Sequence, residues 1–271
     1  MNVTPDSFSD GGNFLRPDDA LAQASKLIDD GADAVDVGGE STRPGATSVS
    51  ADVEIQRVIP VIERIQTAHP GALISVDTNK SEVARRALDA GAEIVNDVSA
   101  GRLDDSMPSL LAGSDCGVVL MHSRGSVEDM ASYEHANYGR NPSAEIAEEL
   151  GRRAQEMEEA GIDRNRIVLD PGIGFSKRSE ESISLLRNLD DFLALGFPIL
   201  VGPSRKRFVR EILGSNLSGR GKEVSLTNAD RDIGTVGASV VALAAGARLF
   251  RVHDVWSHRR ALDVAWALLK S

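Results

Sequence analysis

Short apolar runs alternate with longer amphipathic stretches along almost the whole chain. Each run is rich in Val, Ile and Leu, and the stretch that follows it repeats apolar residues at helical spacing, as in residues 81–91 and 144–161. Continuous apolar strands separated by amphipathic helices are typical of a parallel sheet covered by helices. The pattern therefore predicts an α/β fold with seven visible strands, at residues 34–37, 73–76, 93–96, 117–121, 167–169, 198–201 and 248–252.

Several predicted helices end on a glycine that is followed by Ala or Ile. The four pairs are Gly31-Ala32, Gly91-Ala92, Gly161-Ile162 and Gly246-Ala247. Glycine adopts the left-handed conformation that commonly caps a helix, so each pair predicts a helix end that leads directly into the next strand.

Seven visible strands are one short of a (β/α)8 TIM barrel, and a chain of 271 residues has the length of one such domain. We therefore expect a single barrel domain over residues 1–271. Because Met1-Asn2 begins in what should be the end of the first strand, we expect that strand to be truncated at the N-terminus.

A net charge of -11 excludes a basic surface for nucleic acid or for an anionic membrane. The sequence contains neither a signal peptide nor an apolar stretch of membrane-spanning length, so we expect a soluble, cytoplasmic protein. The single cysteine, Cys116, lies at the edge of an apolar run and is interpreted as a small buried hydrophobe.

Polar residues stand at the end of nearly every predicted strand. In a barrel these ends share one rim, where active sites of this fold are built. Asp77, Asn96 and Asp170 end three strands. Either Asp taken singly is equally consistent with a helix N-cap, but the three together favour a ligand with a planar edge of N–H donors.

Basic residues close to the last two strands supply local positive charge. Lys206 can donate to a ring carbonyl, and Arg251 can stack on a flat ring while it reaches a phosphate. A helix beginning near Ser204 would add backbone N–H groups for an anion. His253 follows Arg251 at strand spacing, whereas Arg210 is interpreted as solvated.

Two loops combine glycines with hydroxyl, amide or cationic side chains, at residues 2–12 and 38–46. Such loops are suited to holding an anion or its metal ion, because glycine lets the backbone close over it.

In their order along the chain, these motifs resemble the dihydropteroate synthases, enzymes that join a pterin to p-aminobenzoate. The matching segments are residues 2–12, 36–45, Asp77, Asn96-Asp97, 170–175, 204–208 and 251–254. The resemblance implies that p-aminobenzoate displaces pyrophosphate from 6-hydroxymethyl-7,8-dihydropterin pyrophosphate with Mg²⁺ present, and that the protein is a homodimer.

The resemblance also implies a role for each matched residue. Asp77, Asn96, Asp170 and Lys206 would hold the pterin, and Phe175 and Arg251 would line it or stack on it. The catalytic group would be Asp77, Asp170, Lys206 and Arg251. Asn2 through Mg²⁺, with Arg43, Arg251 and His253, would hold pyrophosphate, and Phe8, Thr42 and Pro44 would shape the aminobenzoate pocket.

One departure from the family pattern and three other functions stay open at this point. Arg207 stands where many relatives have a serine, and it either pairs with the aminobenzoate carboxylate or points outward. The alternatives to synthase activity are a catalytically silent pterin-binding paralogue, a corrinoid-dependent methyltransferase of the same superfamily and a purely structural barrel.

Overall fold

The computed structural model describes residues 1–4, 17–42, 46–218 and 225–270, without the side chains of residues 17 and 216–218. All seven strands predicted from the apolar runs are present. They are β1 Ala34–Gly38, β2 Leu73–Asp77, β3 Ile94–Asp97, β4 Gly117–Met121, β5 Ile167–Asp170, β6 Leu200–Val201 and β7 Leu249–Phe250.

Helices connect successive strands, as the alternating pattern predicted. They are α1 Pro17–Asp29, α2 Ala51–Ala68, α3 Ser81–Asp89, α4 Met107–Ala112, α5 Pro142–Glu159, α6 Ser179–Arg187, α7 Asp190–Leu193, α8 Arg207–Ser218, α9 Asn228–Ala244 and α10 Val255–Leu269.

The predicted glycine caps are confirmed at all four positions. Gly31, Gly91, Gly161 and Gly246 have φ between 102° and 111°. At the end of α3 the N–H of Gly91 donates to Leu88 O and that of Ala92 to Ala87 O, and the same bonding occurs after the other three glycines. These are Schellman caps, which satisfy the last helical carbonyls and direct the chain back toward the sheet.

The strands are parallel and adjacent in chain order. β1 to β5 form one continuous sheet, β6 pairs with β7, and a bridge from Leu169 to Ile199 joins the two groups. The N-terminal residues lie beside β1, where Val3 N donates to Gly38 O at 2.8 Å and Gly38 N to Met1 O at 3.0 Å. Eight parallel segments in this order, each followed by helical structure, are the architecture of a (β/α)8 barrel, which confirms the predicted fold.

One apolar core joins the strands to the surrounding helices. Fully buried strand residues such as Val37, Ile74 and Leu169 pack against helix residues such as Ile62 and Leu150. Burying each such side chain contributes about 1.5–3 kcal/mol, and this core fixes the rim at the strand ends. Cys116 is buried, with its Sγ 3.1 Å from Ser114 Oγ, in agreement with its interpretation as a small hydrophobe.

Within the described part of the chain, no helix is both long enough and apolar enough to cross a membrane.

Candidate active site

The carboxyl ends of the strands bring the predicted acceptor residues to one rim. Asp77 is the last residue of β2 and stands directly opposite Asn96 of β3. Asp170 is the last residue of β5 and pairs with Met121 at the end of β4. Asn96 and Asp170 are each 5% exposed, so two polar groups predicted to bind a ligand are buried at the mouth of the barrel.

Arg251 crosses this mouth from the end of β7 and binds two carboxylates. Its Nε donates to Asp36 Oδ2 at 2.6 Å, and its other guanidinium nitrogen donates to Asp77 Oδ2. Asn96 Nδ2 lies 3.4 Å from the same oxygen of Asp36. The guanidinium therefore joins a carboxylate of β1 to one of β2 and uses part of the acceptor surface predicted for a ligand.

Asp36 is a site residue to which the sequence analysis gave no role. It stands between Val35 and Val37 in an otherwise apolar strand, and its second oxygen, Oδ1, is buried with no hydrogen-bond partner among the described residues. A buried carboxylate oxygen without a donor is costly unless a ligand or another group supplies one. The signal that could have identified Asp36 is its charge inside an apolar run.

Asp170 has a structural bond in addition to its place at the rim. Its Oδ1 accepts from Gly172 N at 2.7 Å, which closes the turn after β5. The next helix, α6, begins only at Ser179, so Asp170 is not a helix N-cap. One of its oxygens thus fixes the turn.

Lys206 and Phe175 lie together across the rim. Lys206 Nζ is 3.8 Å from the centroid of the Phe175 ring, a cation–π contact. Gly174, at φ 76°, makes room for this lysine, because a Cβ there would lie 2.9 Å from Lys206 Cδ. The glycine of this loop is thus required by the close approach of the lysine stem.

Burial moves the pKa values of the acidic and basic site groups toward each other. It raises the pKa of Asp77 to about 6, against the opposing effect of Arg251, and it raises the pKa of Asp170. Burial, with Arg251 nearby, lowers the pKa of Lys206 to about 8. Burial also opposes the charge on Arg251, but Asp77 and Asp36 outweigh it and hold the Arg251 pKa above its usual value.

The described parts of the two glycine-containing loops, at residues 2–12 and 38–46, lie beside Asp77. A Cβ placed on Gly38 would be 3.3 Å from Asp77 Cβ and 3.4 Å from Asn2 Oδ1, so Asn2 and Asp77 flank the same point of the rim. Thr42 is half-buried in the loop after β1. The predicted site residues Phe8, Arg43 and Pro44 lie outside the described residues.

A buried ion-pair cluster holds the base of the loop after β1. Glu40 accepts from Ser48 Oγ at 3.0 Å and from Val49 N at 2.8 Å, so it joins the two ends of the loop. Lys80 Nζ lies 2.9 Å from Glu40 and 2.7 Å from Glu54. This loop is therefore fixed at its base to the strand end that carries Asp77.

The other predicted basic residues have separate environments. His253 is exposed, and its Nδ1 lies 2.7 Å from the Oγ of buried Ser204.

The helix expected near Ser204 begins at Arg207, because Arg205 adopts φ 55° in a turn and pairs with Asp232. Arg207 Cζ lies 4.2 Å from the centroid of the Tyr133 ring, and this contact leaves both expectations for Arg207 open.

Two strand-end residues have internal partners. Asp97 is fully buried and accepts from Ser99 N, Ser99 Oγ and Gly101 N, all at 2.7 Å, so it closes a turn. His122 lies between Glu149 and Lys177, at 3.0 Å and 2.8 Å from its two ring nitrogens. Sequence reasoning had given Lys177 no role.

Asp129, Glu134 and His135 place their ligand atoms within 4.8 Å of one another on the loop that follows β4. None of the three is a predicted site residue.

The chain is similar to proteins of one family over its whole length. The family model described as "Pterin binding enzyme" matches residues 1–253. A dihydropteroate synthase of Streptococcus pyogenes is 42% identical over 99% of this chain and 94% of its own. The mitochondrial folate synthesis bifunctional protein of pea is also 42% identical, and the chain spans 52% of that protein.

Solved structures agree with the sequence relatives. The Xanthomonas albilineans dihydropteroate synthase with 4-aminobenzoic acid superposes with a TM-score of 0.85 at 42% identity, covering 98% of this chain and 90% of that one. The same enzyme in complex with 7,8-dihydropteroate gives 0.81 at 38% identity, with the same coverage. From its sequence, its fold and the polar residues of its rim, the chain belongs to the dihydropteroate synthase family of pterin binding enzymes.

Proposed function

We propose that the protein condenses 6-hydroxymethyl-7,8-dihydropterin pyrophosphate with p-aminobenzoate to 7,8-dihydropteroate. The observation that carries the proposal is the convergence of Asp77, Asn96, Asp170, Lys206 and Arg251 on one rim, in a chain 42% identical to a dihydropteroate synthase. Residues 1–271 act as one domain in this proposal, supported by an apolar core that runs from Val3 to Ala247.

The pterin is proposed to lie across Asp77, Asn96 and Asp170 with its ring carbonyl toward Lys206. A carboxylate accepts two parallel bonds from adjacent ring N–H groups as it would from a guanidinium. Because Arg251 already donates to Asp77 and Asp36, it must move off Asp77 for the pterin edge to use that carboxylate. Arg251 then stacks on the ring, and Phe175 lines the opposite side.

The reaction needs charge stabilisation and no protein nucleophile. The bond from the exocyclic methylene carbon to the pyrophosphate oxygen breaks with its electrons on pyrophosphate, and the positive charge spreads over the electron-rich pterin. Half-buried Asp77 and buried Asp170 stabilise that charge. The amine lone pair of p-aminobenzoate forms the new C–N bond and its proton leaves to solvent, so catalysis is electrostatic preorganisation.

Pyrophosphate is proposed to bind at Asn2, Arg43, Arg251 and His253, with Mg²⁺ on Asn2. The fit is supported by the amide oxygen of Asn2, which faces the rim near Asp77 and is the hard donor that Mg²⁺ takes together with substrate phosphates. Bound Mg²⁺ would neutralise charge on the leaving group.

The aminobenzoate pocket is proposed to form from Phe8, Thr42 and Pro44 with the start of α8. Thr42 follows the loop base that Glu40 and Lys80 fix, which supports a defined position for this wall.

A homodimer and a cytoplasmic location are the remaining parts of the proposal. Ile233 and Val241 are 73% and 59% exposed on one face of α9, and Trp256 and Val264 are 52% and 62% exposed on one face of α10. Exposed apolar faces on two contacting helices are typical of a subunit interface. The lone cysteine suits a reducing compartment.

The test is a coupled assay of pyrophosphate release with Mg²⁺ present. Synthase activity predicts release that depends on both the pterin pyrophosphate and p-aminobenzoate, with stoichiometric 7,8-dihydropteroate. Pterin binding by calorimetry without any turnover would instead identify a catalytically silent pterin-binding protein.

A further inference from the structure

A buried lysine that the proposed mechanism does not use lies beneath the pterin side of the rim. Lys177 follows β5 by seven residues and is 2% exposed. Its Nζ donates to Phe175 O at 2.9 Å and to His122 O at 3.3 Å, and it lies 2.8 Å from His122 Nδ1. All three partners are acceptors, and no carboxylate among the described residues pairs directly with this lysine.

The partners of His122 fix which ring nitrogen carries the proton. His122 Nε2 lies 3.0 Å from Glu149 Oε2, and a carboxylate only accepts. Nε2 therefore donates to Glu149, and Nδ1 accepts from Lys177. Burial, reinforced by Lys177, lowers the pKa of His122 to about 4, which keeps the ring neutral and this direction of bonding intact.

Glu149 is itself held from the surface side. Arg124 Nε donates to Glu149 Oε2 at 3.1 Å, and a second guanidinium nitrogen donates to Oε1. The same arginine binds Glu145 at 2.6 Å. Arg124, Glu149, His122 and Lys177 thus form a continuous chain of hydrogen bonds from α5 to the turn after β5.

The turn that Lys177 supports carries two of the proposed pterin contacts. A Cβ on Gly172 would lie 3.3 Å from Lys177 Nζ and 1.9 Å from His122 O, so the backbone passes directly over the lysine. The N–H of Gly172 donates to Asp170. Lys177 donates to the backbone carbonyl of Phe175, and the ring of the same Phe175 contacts Lys206.

The charges around Lys177 come from several elements. Asp170 and Glu149 favour its positive charge, whereas Arg124 and Lys206 oppose it. The Tyr138 ring centroid lies 6.0 Å from Nζ. Burial has the largest effect and lowers the pKa of Lys177 to about 7. Both its charged and its neutral form donate the two bonds to backbone carbonyls.

We propose that Lys177, held by the acceptor at His122 Nδ1, is a positioning residue for pterin recognition, because it fixes the turn that carries Asp170 and Phe175. The proposal rests on the function proposed above. The positioning role predicts different effects on the two substrates, because the turn faces the pterin whereas the walls of the aminobenzoate pocket are on other loops. Loss of the bonds made by Lys177 therefore weakens the pterin side of the reaction selectively.

Three variants separate this role from general stability. Lys177→Met removes the donors and keeps the length of the side chain. His122→Asn keeps an acceptor at the position of Nδ1, where Lys177 donates, and loses the bond to Glu149. His122→Gln places its amide at the position of Nε2, keeps a donor for Glu149 and loses the acceptor for Lys177.

The experiment measures KM for each substrate, kcat, melting temperature, and the calorimetric affinity for 6-hydroxymethyl-7,8-dihydropterin pyrophosphate. We expect Lys177→Met and His122→Gln to raise the KM for the pterin substrate and its dissociation constant at least tenfold, with the KM for p-aminobenzoate within twofold. His122→Asn is expected to stay within threefold of the wild type for both substrates.

Equal changes in both KM values, or pterin affinity within twofold of the wild type in Lys177→Met and His122→Gln, overturn the proposal. If Lys177→Met does not fold, the two His122 variants decide it by the same measurements. An active wild type with unaffected variants overturns the positioning role alone. A wild type that neither turns over nor binds the pterin overturns the proposed function and this role together.

Discussion

Asp77 and Lys206 face the same rim with pKa values that burial has moved toward neutrality, to about 6 and about 8. The proposed pterin contacts need Asp77 ionised to accept and Lys206 protonated to donate. The two groups are therefore in their working forms together only between these two values.

This overlap predicts a bell-shaped dependence of kcat/KM for the pterin substrate on pH. Efficiency should fall as the pH drops below about 6, where Asp77 binds a proton, and as it rises above about 8, where Lys206 loses one. Lys206→Arg should move the alkaline limb upward by more than one pH unit, since an arginine stays charged. An unmoved alkaline limb in this variant would assign it to another group.

Asp170 offers a second test of a single residue. In Asp170→Asn the amide oxygen still accepts from Gly172 N, so the turn is kept, while a charged acceptor is lost and an amide donor faces the pterin donors. A charge-assisted bond contributes about 1.5–3 kcal/mol, so we expect kcat/KM to fall about a hundredfold with little change in melting temperature.

Asp97→Asn is the matched control for this variant. Asp97 is buried one residue after Asn96, but its bonds go to the turn at Ser99 and Gly101. We expect its substitution to lower the melting temperature more than Asp170→Asn does and to reduce kcat/KM less. The reverse order would place Asp97 among the ligands and Asp170 among the structural residues.

Most of the rim was predictable from the sequence, because topology alone brings the ends of parallel strands together. Asp77, Asn96 and Asp170 needed only the order of the strands. The pairing of Arg251 with Asp36 was not predictable, since several acceptors lie within reach of one guanidinium. Lys177 was missed because a lysine in a loop is normally exposed, and the sequence carries no signal of its burial.

At the scale of elements, the glycine caps explain why the helix ends were predicted well. The amphipathic pattern at 81–91 and 144–161 became α3 Ser81–Asp89 and α5 Pro142–Glu159. The shortest strands were harder to bound: the run at 198–201 pairs as β6 only over Leu200–Val201, with Ile199 in a single bridge to β5. A strand of two residues is too short to show a hydrophobic periodicity in the sequence.

Two glycine caps with nearly the same φ differ in what an added Cβ would meet. Replacing each by Ala should therefore lower the free energy of unfolding by different amounts. Gly161 has φ 103°, and among the described residues an added Cβ would meet only Ala112 Cβ, at 3.7 Å. Gly161→Ala should therefore lower the free energy of unfolding by about 1–2 kcal/mol from the left-handed conformation alone. Gly91 has φ 104°, and its Cβ would lie 2.7 Å from Gln66 Cγ. Gly91→Ala should cost more, as measured by urea denaturation.

Gly71→Ala is the control, since an added Cβ there meets no atom of the described residues within 4 Å and Gly71 is not in the left-handed conformation. We expect its unfolding free energy to equal or exceed that of the wild type. Equal losses at Gly71 and Gly161 would show that backbone conformation does not determine the cost.

At the scale of the whole molecule, the exposed apolar residues of α9 and α10 determine the expected assembly. The double variant Ile233→Glu, Val241→Glu puts two charges on one face of α9. If this face is a subunit interface, burying those charges is prohibitive, and light scattering after size exclusion should show a monomer where the wild type is a dimer.

Gln155→Glu, on an exposed position of α5, adds a charge away from this face and should leave the wild-type mass unchanged. A dimer that survives the double variant would mean that another surface associates, and a monomeric wild type would exclude the homodimer.

The hydrogen bonds of Arg251 have a consequence for the protein during its synthesis. They join residues separated by 215 and 174 positions along the chain. During synthesis Asp36 and Asp77 are made before Arg251, which follows α9 and precedes α10. A chain that ends before Arg251 therefore lacks the cation that joins the carboxylates of β1 and β2, and the rim of its barrel stays incomplete.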